Sequence, residues 1–158
     1  MRLIHENDLD AIFDLCQLLK RENARMSFTD IDDKLQIQQW FDDSNVFLYG
    51  DFTESGRLIG LLKATRGKEN KAHSVYLAAA THPDFRKQKV AVHLTLFALE
   101  ELKKEGIKIA RTYIYSWNTA SIATIEKCGF TQSGRVVMHE YDEVTQSYID
   151  DLIYFKHL

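Results

Sequence analysis

The sequence has few cysteines, only one proline and no long apolar run, and each shortage excludes a class of protein. Two cysteines, Cys16 and Cys128, are too few for a disulfide framework or a paired-cysteine metal site. The longest apolar run, residues 75–80, is far shorter than the roughly 20 residues that cross a bilayer. No apolar segment follows Met1, so we expect no secretory leader. The composition predicts a cytoplasmic protein that is not embedded in a membrane.

Charge and histidine content exclude two further classes. The chain has 20 basic and 23 acidic residues, for a net charge of −3, which argues against a general nucleic-acid binder. Its six histidines show no metal-ligand spacing, so no metal is expected. With 158 residues, of which 45% are hydrophobic, the chain is expected to form a single domain over residues 1–158.

Hydrophobic periodicity predicts seven strands and four helices. The first helix is expected to be capped near Asn7 or Asp8, and the second to follow Asp30. The later helices are expected at 89–105 and 119–128, each stopped by a glycine. The predicted strands cover residues 1–4, 46–49, 58–62, 73–81, 108–116, 136–143 and 148–155. The order β-α-α-β-β-β-α-β-α-β-β indicates a mixed-sheet α/β (α+β) domain, in which strand 73–81 should be buried on both faces.

A basic turn joins the strand at 75–81 to the long helix. Arg86, Lys87 and Lys89 lie where the helix begins, although cations there oppose the helix dipole. A bound pyrophosphate would resolve this conflict, because the first N–H groups of a helix are unpaired. A solvated basic connection explains the same residues equally well, and the residues alone do not decide between the two.

This segment resembles the coenzyme-binding motif of the GNAT acetyltransferases, which runs strand, x-x-Pro-x-x-(Arg/Gln)-Gly-x-Gly-x-(Ala/Gly), helix. Pro83, Arg86 and Ala91 match it, whereas Lys87 and Lys89 replace the two glycines. We expect helical φ/ψ at both lysines and pairing of their ammonium groups with phosphate. The resemblance, together with the second segment described next, implies a set of acetyl-CoA-binding residues: Ala79, Ala80, Thr81, Arg86, Lys87, Gln88, Lys89, Val90, Ala91 and Asn118.

A second segment, residues 118–130, resembles the GNAT pattern N-x-x-S/A-I-x-x-x-E-K-x-G-F. Asn118 can cap the helix that follows it. Many GNAT enzymes have a proton-donating tyrosine where Ile125 stands, but the RimJ/RimL branch lacks it and has a serine at the position of Ser121. The resemblance implies that Ser121 protonates the departing thiolate. The alternative is an ordinary serine that satisfies backbone N–H groups at the helix start.

The last hairpin also resembles the RimJ/RimL branch, in which a glutamate at the position of Glu140 is the general base. A solvent-facing glutamate is the alternative. Strand alternation predicts that His139 and Tyr141 point away from Glu140. Two groups of residues near this hairpin have open roles. The acidic residues could attract a cation or could belong to a solvated hairpin; they are Glu140, Asp142, Glu143, Asp150 and Asp151. The aromatic residues of the preceding strand could line a substrate cleft or the core; they are Tyr113, Tyr115 and Trp117.

The resemblance implies an enzyme that transfers acetyl from acetyl-CoA, as co-substrate, to a primary amine by direct attack. A backbone N–H near Ala79 or Ala80 should stabilise the carbonyl oxygen, in a strand that splays from its neighbour. The acceptor stays open among peptide N-termini, polyamines, amino acids and antibiotics, and a homodimer through the last strands is an expectation. The alternative is a non-catalytic acyl-CoA-binding or protein-interaction domain, which the missing glycines and Ile125 favour.

Overall fold

A computed structural model describes residues 1–158, and its seven strands form one mixed sheet in the order β1-β2-β3-β4-β5-β7-β6. All neighbouring strands are antiparallel except β4 and β5, which are parallel. The strands are β1 Arg2–Leu3, β2 Val46–Phe52, β3 Leu58–Arg66, β4 Ser74–Thr81, β5 Ile109–Tyr115, β6 Thr131–Asp142 and β7 Ser147–His157. The predicted order of elements is confirmed.

The four helices begin and end close to their expected positions. They are α1 Leu9–Arg21, α2 Lys34–Asp42, α3 Val90–Lys104 and α4 Thr119–Lys127. Asp33 caps α2 by accepting the Leu35 N–H. Gly106 and Gly129 follow α3 and α4 with φ of 81° and 83°, the left-handed conformation that ends a helix at glycine. None of these helices is long and apolar enough to cross a membrane.

Two hydrophobic cores lie on opposite faces of the sheet. One packs α3 and α4 against strands that include β4, β5 and β7. The other packs α1 and α2 against β2, β3 and the end of β4, and it contains no residue of β5, β6 or β7. On the α1–α2 side, the second half of the sheet is therefore not covered by a helix of this core. Tyr76 and Tyr113 stand on this uncovered face with 40% and 48% of their surfaces exposed.

Strands β4 and β5 separate after a short paired stretch. Their register ends at Tyr76 opposite Arg111, so β4 has no strand partner on this side from Leu77 to Thr81. We call this opening the β4–β5 split; it is the splay expected from the sequence. The prediction that this strand is buried on both faces is wrong at Tyr76 and Ala79, which are exposed because the split and the uncovered face leave them without neighbours.

A bulge in β6 changes where its side chains point. The register with β7 shifts between Val136 and Glu140, and Met138 has a φ of 52°. Within this bulge strict alternation fails. The prediction that His139 points away from Glu140 is therefore wrong. Its Nε2 lies 3.7 Å from Oδ2 of Asp151, which shares a face with Glu140.

Candidate active site

The start of α3 presents a row of unpaired backbone donors. Six consecutive N–H groups, from Lys87 to Val92, have no acceptor in the protein. Lys87 and Lys89 have φ of 62° and 63°. The expectation of helical φ/ψ at both lysines is therefore wrong; they adopt the left-handed conformation that glycine would adopt freely. Successive N–H groups around such residues form a concave anion-binding nest.

The basic side chains around this nest are not equivalent. Arg86 pairs with Glu22 at the end of α1, so its guanidinium is already neutralised. Lys87 and Lys89 are exposed and have no carboxylate partner. Gln88 donates to the Asp84 carbonyl at 3.2 Å, which holds the turn itself. The two lysines that replace the motif's glycines are thus the cations available to an anion in the nest.

The edge of β4 continues the nest into the β4–β5 split. Thr112 donates its hydroxyl to the Leu77 carbonyl at 3.0 Å, just beyond the last paired residues. From there to Thr81 the strand has no other partner on this side. Ala79 is exposed and Ala80 is buried against the α1–α2 core. An extended ligand arm can therefore lie along this edge and use its backbone groups.

The α4 N-terminus follows the end of β5, the strand on the other side of the split. Asn118 accepts the Ser121 N–H at 3.1 Å and is the cap, as its sequence context predicts. The Ser121 hydroxyl has no hydrogen-bond partner, so it is not consumed in capping. Ile125 is buried in the core that packs α3 and α4 against the sheet. The free hydroxyl at this position is what a proton donor requires.

Glu140 lies across the sheet from these elements and accepts a hydrogen bond from Tyr115. The phenol oxygen is 2.8 Å from Oε2 of Glu140. Burial and the bond to Glu140 raise the pKa of Tyr115, so the phenol stays a donor at neutral pH. Tyr115 ends β5 three residues before Asn118. Glu140 and the start of α4 are therefore held at the same end of the split.

A cavity of about 610 Å³ opens beside this pair. Its walls come from the segment after α1, the end of β5 and the β6–β7 hairpin. They include Tyr115 and Glu140 together with Asp30, Asp142 and Glu143, and Arg25 is the basic residue among them. Because carboxylates outnumber cations here, the cavity suits a positively charged acceptor. We call it the acceptor cavity.

The acidic group of the last hairpin divides into different roles. Asp142 accepts bonds from Thr145, Val144 and Arg25, which fixes the hairpin turn. Asp150 accepts from the Met138 N–H at 2.6 Å and from Arg135 Nε at 2.5 Å, which holds the β6 bulge. Glu140 and Asp151 form no hydrogen bond that holds the hairpin turn or the β6 bulge.

The other reactive side chains do not contribute a nucleophile. Cys128 is 1% exposed and contacts the Val92 carbonyl at 3.7 Å, and burial raises its thiol pKa. Cys16 is also buried, and its pKa is raised to about 12 by burial. His82 is buried, and burial lowers its pKa, while its ring accepts the Asp84 N–H at the turn before α3.

Comparison with known proteins agrees with this geometry. The family model for the acetyltransferase (GNAT) family matches residues 12–130. The chain belongs to the GNAT acetyltransferase family. This confirms the family and fold expected from the two motifs.

Individual relatives are distant from this GNAT protein. It is 27% identical over 117 residues to mycothiol acetyltransferase of Brachybacterium faecium, covering 73% of this chain. The chain spans about a third (34%) of that relative's length. A ribosomal-protein-alanine N-acetyltransferase from Brucella melitensis superposes with a TM-score of 0.86 at 21% identity, covering 99% of this chain and 98% of the other. A GCN5-related N-acetyltransferase from Kribbella flavida gives a TM-score of 0.86 at 15% identity, with 99% and 96% covered.

The structure gathers the predicted site residues into two groups. The coenzyme residues predicted from the motif lie along the β4 edge and the α3 nest, with Asn118 at the α4 start. Glu140 lies on the acceptor side, joined to Tyr115. Sequence reasoning missed this pairing, because the two residues are 25 positions apart and meet only through the order β5-β7-β6. It also gave no role to Asp30 or Arg25, for which the sequence carries no signal.

Proposed function

We propose that this GNAT protein is an N-acetyltransferase that moves an acetyl group from acetyl-CoA to a primary amine by direct attack. The observation that carries the proposal is the β4–β5 split, which has an anion nest at one end and Glu140 with its cavity on the other side. A nest and an open strand edge suit a phosphate-bearing chain, and a carboxylate beside an acidic cavity suits an amine.

The coenzyme side needs donors for phosphate and for a thioester oxygen. The N–H groups of residues 87–92 and the ammonium groups of Lys87 and Lys89 can hold the pyrophosphate. The unpaired β4 edge around Ala79 and Ala80 offers backbone N–H groups to the thioester oxygen. The coenzyme supplies an activated acetyl group when it is bound there.

On the acceptor side, Glu140 removes the proton that blocks attack. A lysine-like amine has a pKa near 10.4 and an α-amino group about 8, so both are mostly protonated at neutral pH. Glu140 binds the ammonium group and accepts its proton, directly or through a water molecule. Tyr115 holds the carboxylate in place through its 2.8 Å hydrogen bond. The free amine then attacks the acetyl carbon.

The leaving group also needs a proton, which we assign to Ser121. Its hydroxyl is unbonded at the start of α4, because Asn118 performs the capping. Ile125 stands where many relatives have tyrosine and cannot donate. Ser121 gives its proton to the sulfur as the carbon–sulfur bond breaks, and recovers one from solvent.

A non-catalytic acyl-CoA-binding domain is the second candidate. Two observations favour it: left-handed lysines at the glycine positions and the pairing of Arg86 with Glu22. Both concern the affinity of the nest. Neither observation concerns Glu140 or Ser121. Both candidate functions therefore predict acetyl-CoA binding, and only the enzyme predicts turnover.

Glu140→Gln separates the candidates. We expect thiol release from acetyl-CoA with an amine acceptor to fall by about 100-fold or more, because the amine loses its base. The rise in melting temperature caused by saturating acetyl-CoA should not change. The matched control is Glu54→Gln, in the exposed turn between β2 and β3, which should keep full activity. Equal turnover in Glu140→Gln would exclude Glu140 as the base, and binding without turnover in the wild type would favour the second candidate.

A further inference from the structure

His82 is a buried histidine, 5% exposed, whose two ring nitrogens both face hydrogen-bond donors. The backbone N–H of Asp84 points at Nδ1 from 3.2 Å. A guanidinium nitrogen of Arg57, the residue before β3, lies 2.7 Å from Nε2. Neither a backbone N–H nor a guanidinium group can accept a hydrogen bond. Both contacts can therefore be hydrogen bonds only if both ring nitrogens accept.

A single imidazole ring cannot satisfy these two donors. Its neutral form has one N–H and one free lone pair, so it accepts one hydrogen bond. With the proton on Nε2, Nδ1 accepts the Asp84 N–H, and Arg57 can pair instead with the Asp84 carboxylate, 3.5 Å away. With the proton on Nδ1, Nε2 accepts from Arg57 and the Asp84 N–H loses its partner. The protonated ring accepts neither bond, so only one of the three states of His82 caps the turn.

The turn that His82 caps leads β4 into the nest at α3. Residues 83–85 form one short helical turn with His82 at its N-cap position. The carbonyl of Asp84 accepts the Gln88 side chain at 3.2 Å. Gln88 lies between the two left-handed residues, Lys87 and Lys89. Asp84 therefore connects the His82 ring to the middle of the nest through its N–H on one side and its carbonyl on the other.

We propose that His82 is a positioning residue for acetyl-CoA: its ring, with the proton on Nε2 and with Nδ1 accepting the Asp84 N–H, holds the nest in the conformation that binds the pyrophosphate. This inference rests on the proposed function, because the nest is taken to be the coenzyme site. When the ring is protonated, the Asp84 N–H loses its acceptor, the turn loosens and coenzyme affinity falls. Coenzyme binding then depends on pH through a residue that does not touch the coenzyme.

The charged groups around His82 set the pH range of this effect. They are Arg57 before β3, Asp84 and Arg86 in the turn, and Glu22 at the end of α1. Burial lowers the pKa of His82 most, and Arg57 lowers it further, while Asp84 opposes them. A lowered pKa means that the fold prefers the neutral ring. The resulting stability is complete above the ordinary histidine pKa of about 6.5 and is lost as the pH falls through the folded-state pKa.

The test compares the acetyl-CoA affinity of the wild type and His82→Asn by isothermal titration calorimetry from about pH 7.5 to about pH 5. Asparagine keeps a capping oxygen for the Asp84 N–H but cannot be protonated in this range. We expect the wild type to lose about fivefold more affinity than His82→Asn, the size of one N-cap bond. Protonation of the coenzyme's own phosphate is common to both proteins and cancels in the comparison. His73→Asn is the matched control, because His73 is exposed before β4, and it should follow the wild type.

The tautomer of His82 provides a second measurement that needs no variant. Histidine 15N chemical shifts distinguish the two neutral tautomers, and we expect the acetyl-CoA complex at neutral pH to have the proton on Nε2. The same shifts follow the protonation of the ring. In Arg57→Met the ring should be protonated at a higher pH than in the wild type, because a cation that opposes protonation is removed.

Two results would overturn the inference: a proton on Nδ1 in the complex, or an affinity that falls as steeply in His82→Asn as in the wild type. If His82→Asn does not fold, the tautomer decides. The proposed function fails in a different way. Binding that weakens at acidic pH only in proteins with His82, without turnover on any amine, leaves the role of His82 standing and removes the enzyme activity. Turnover together with the same pH dependence in the wild type and His82→Asn does the reverse.

Discussion

Thr112 and Leu77 meet where the β4–β5 split begins. Thr112 is buried, with 8% of its surface exposed. Its hydroxyl is the only donor to the Leu77 carbonyl on that side. Thr112→Val keeps the shape but leaves that carbonyl unpaired, which should cost about 1–3 kcal/mol of unfolding free energy. Urea unfolding at neutral pH measures this loss.

Thr112→Ser provides the control for that substitution. It keeps the hydroxyl and loses only a methyl group, so it should be more stable than Thr112→Val. If Thr112→Val is as stable as the wild type, the hydroxyl bond to the Leu77 carbonyl does not stabilise the start of the split. Acetyl-CoA binding should weaken in Thr112→Val if the freed carbonyl lets β4 shift.

At the scale of single residues, local chemistry was predictable and backbone conformation was not. Asn118 was expected to cap α4, and it does, because an asparagine before a helical pattern has few other uses. Lys87 and Lys89 were expected to be helical, since lysine ordinarily avoids positive φ. Their left-handed conformation is imposed by the turn that leads β4 into α3, which no property of lysine encodes.

The loop before α3 contains two lysines in a strained backbone conformation. Left-handed φ costs a non-glycine residue roughly 1–2 kcal/mol, and glycine's own entropic cost is about 0.5–1 kcal/mol. The double variant Lys87→Gly/Lys89→Gly should therefore raise the melting temperature of the protein without coenzyme by a few degrees. The further rise in melting temperature on adding acetyl-CoA should be smaller than in the wild type, because two ammonium groups that pair with phosphate are lost.

Gln88→Gly is the matched control for this loop. Gln88 lies between the two lysines and does not have a positive φ, so glycine there should add flexibility without relieving strain. Differential scanning calorimetry with and without acetyl-CoA measures both effects. A double variant that is no more stable than the wild type would show that the loop carries no strain. If acetyl-CoA raises the melting temperature of the double variant as much as that of the wild type, the ammonium groups do not contact phosphate.

Element boundaries followed the sequence wherever hydrophobic periodicity was strong. The helices α3 and α4 end at glycines, as expected. The strand β6 begins at Thr131, five residues before the predicted start, because its side chains are exposed almost throughout and give no alternating pattern. Its bulge depends on Asp150 from the next strand accepting the Met138 N–H, a contact that the local sequence of β6 does not contain.

At the scale of the whole molecule, Arg25 joins the two halves of the chain. It follows α1 and donates to Asp142 at 2.5 Å, across 117 residues of sequence. The same guanidinium stacks over Trp117 with a separation of 5.6 Å from the ring centroid. Arg25 and Asp142 also line the acceptor cavity. The ion pair therefore fixes the hairpin that carries Glu140 against the N-terminal half.

The pKa of Asp142 makes the stability contributed by this contact depend on pH. The Thr145 hydroxyl, Arg25 and the Val144 N–H lower the pKa of Asp142 to about 2. A lowered pKa means that the folded state prefers the carboxylate. The resulting stability is therefore complete above the usual aspartate pKa near 4 and is lost as the pH falls toward 2. Asp142→Asn removes this contribution at every pH.

We expect the wild type to melt above Asp142→Asn at neutral pH, and the difference to close as the pH falls from about 4 to 2. Urea midpoints of both proteins across this range measure it, and Asp14→Asn, an exposed carboxylate without partners, should show no comparable difference. A difference that stays constant down to pH 2 would mean that the Asp142 carboxylate contributes through shape and not through charge. Acceptor KM should rise in Asp142→Asn more than acetyl-CoA affinity falls, because the pair borders the acceptor cavity and is remote from the nest at α3.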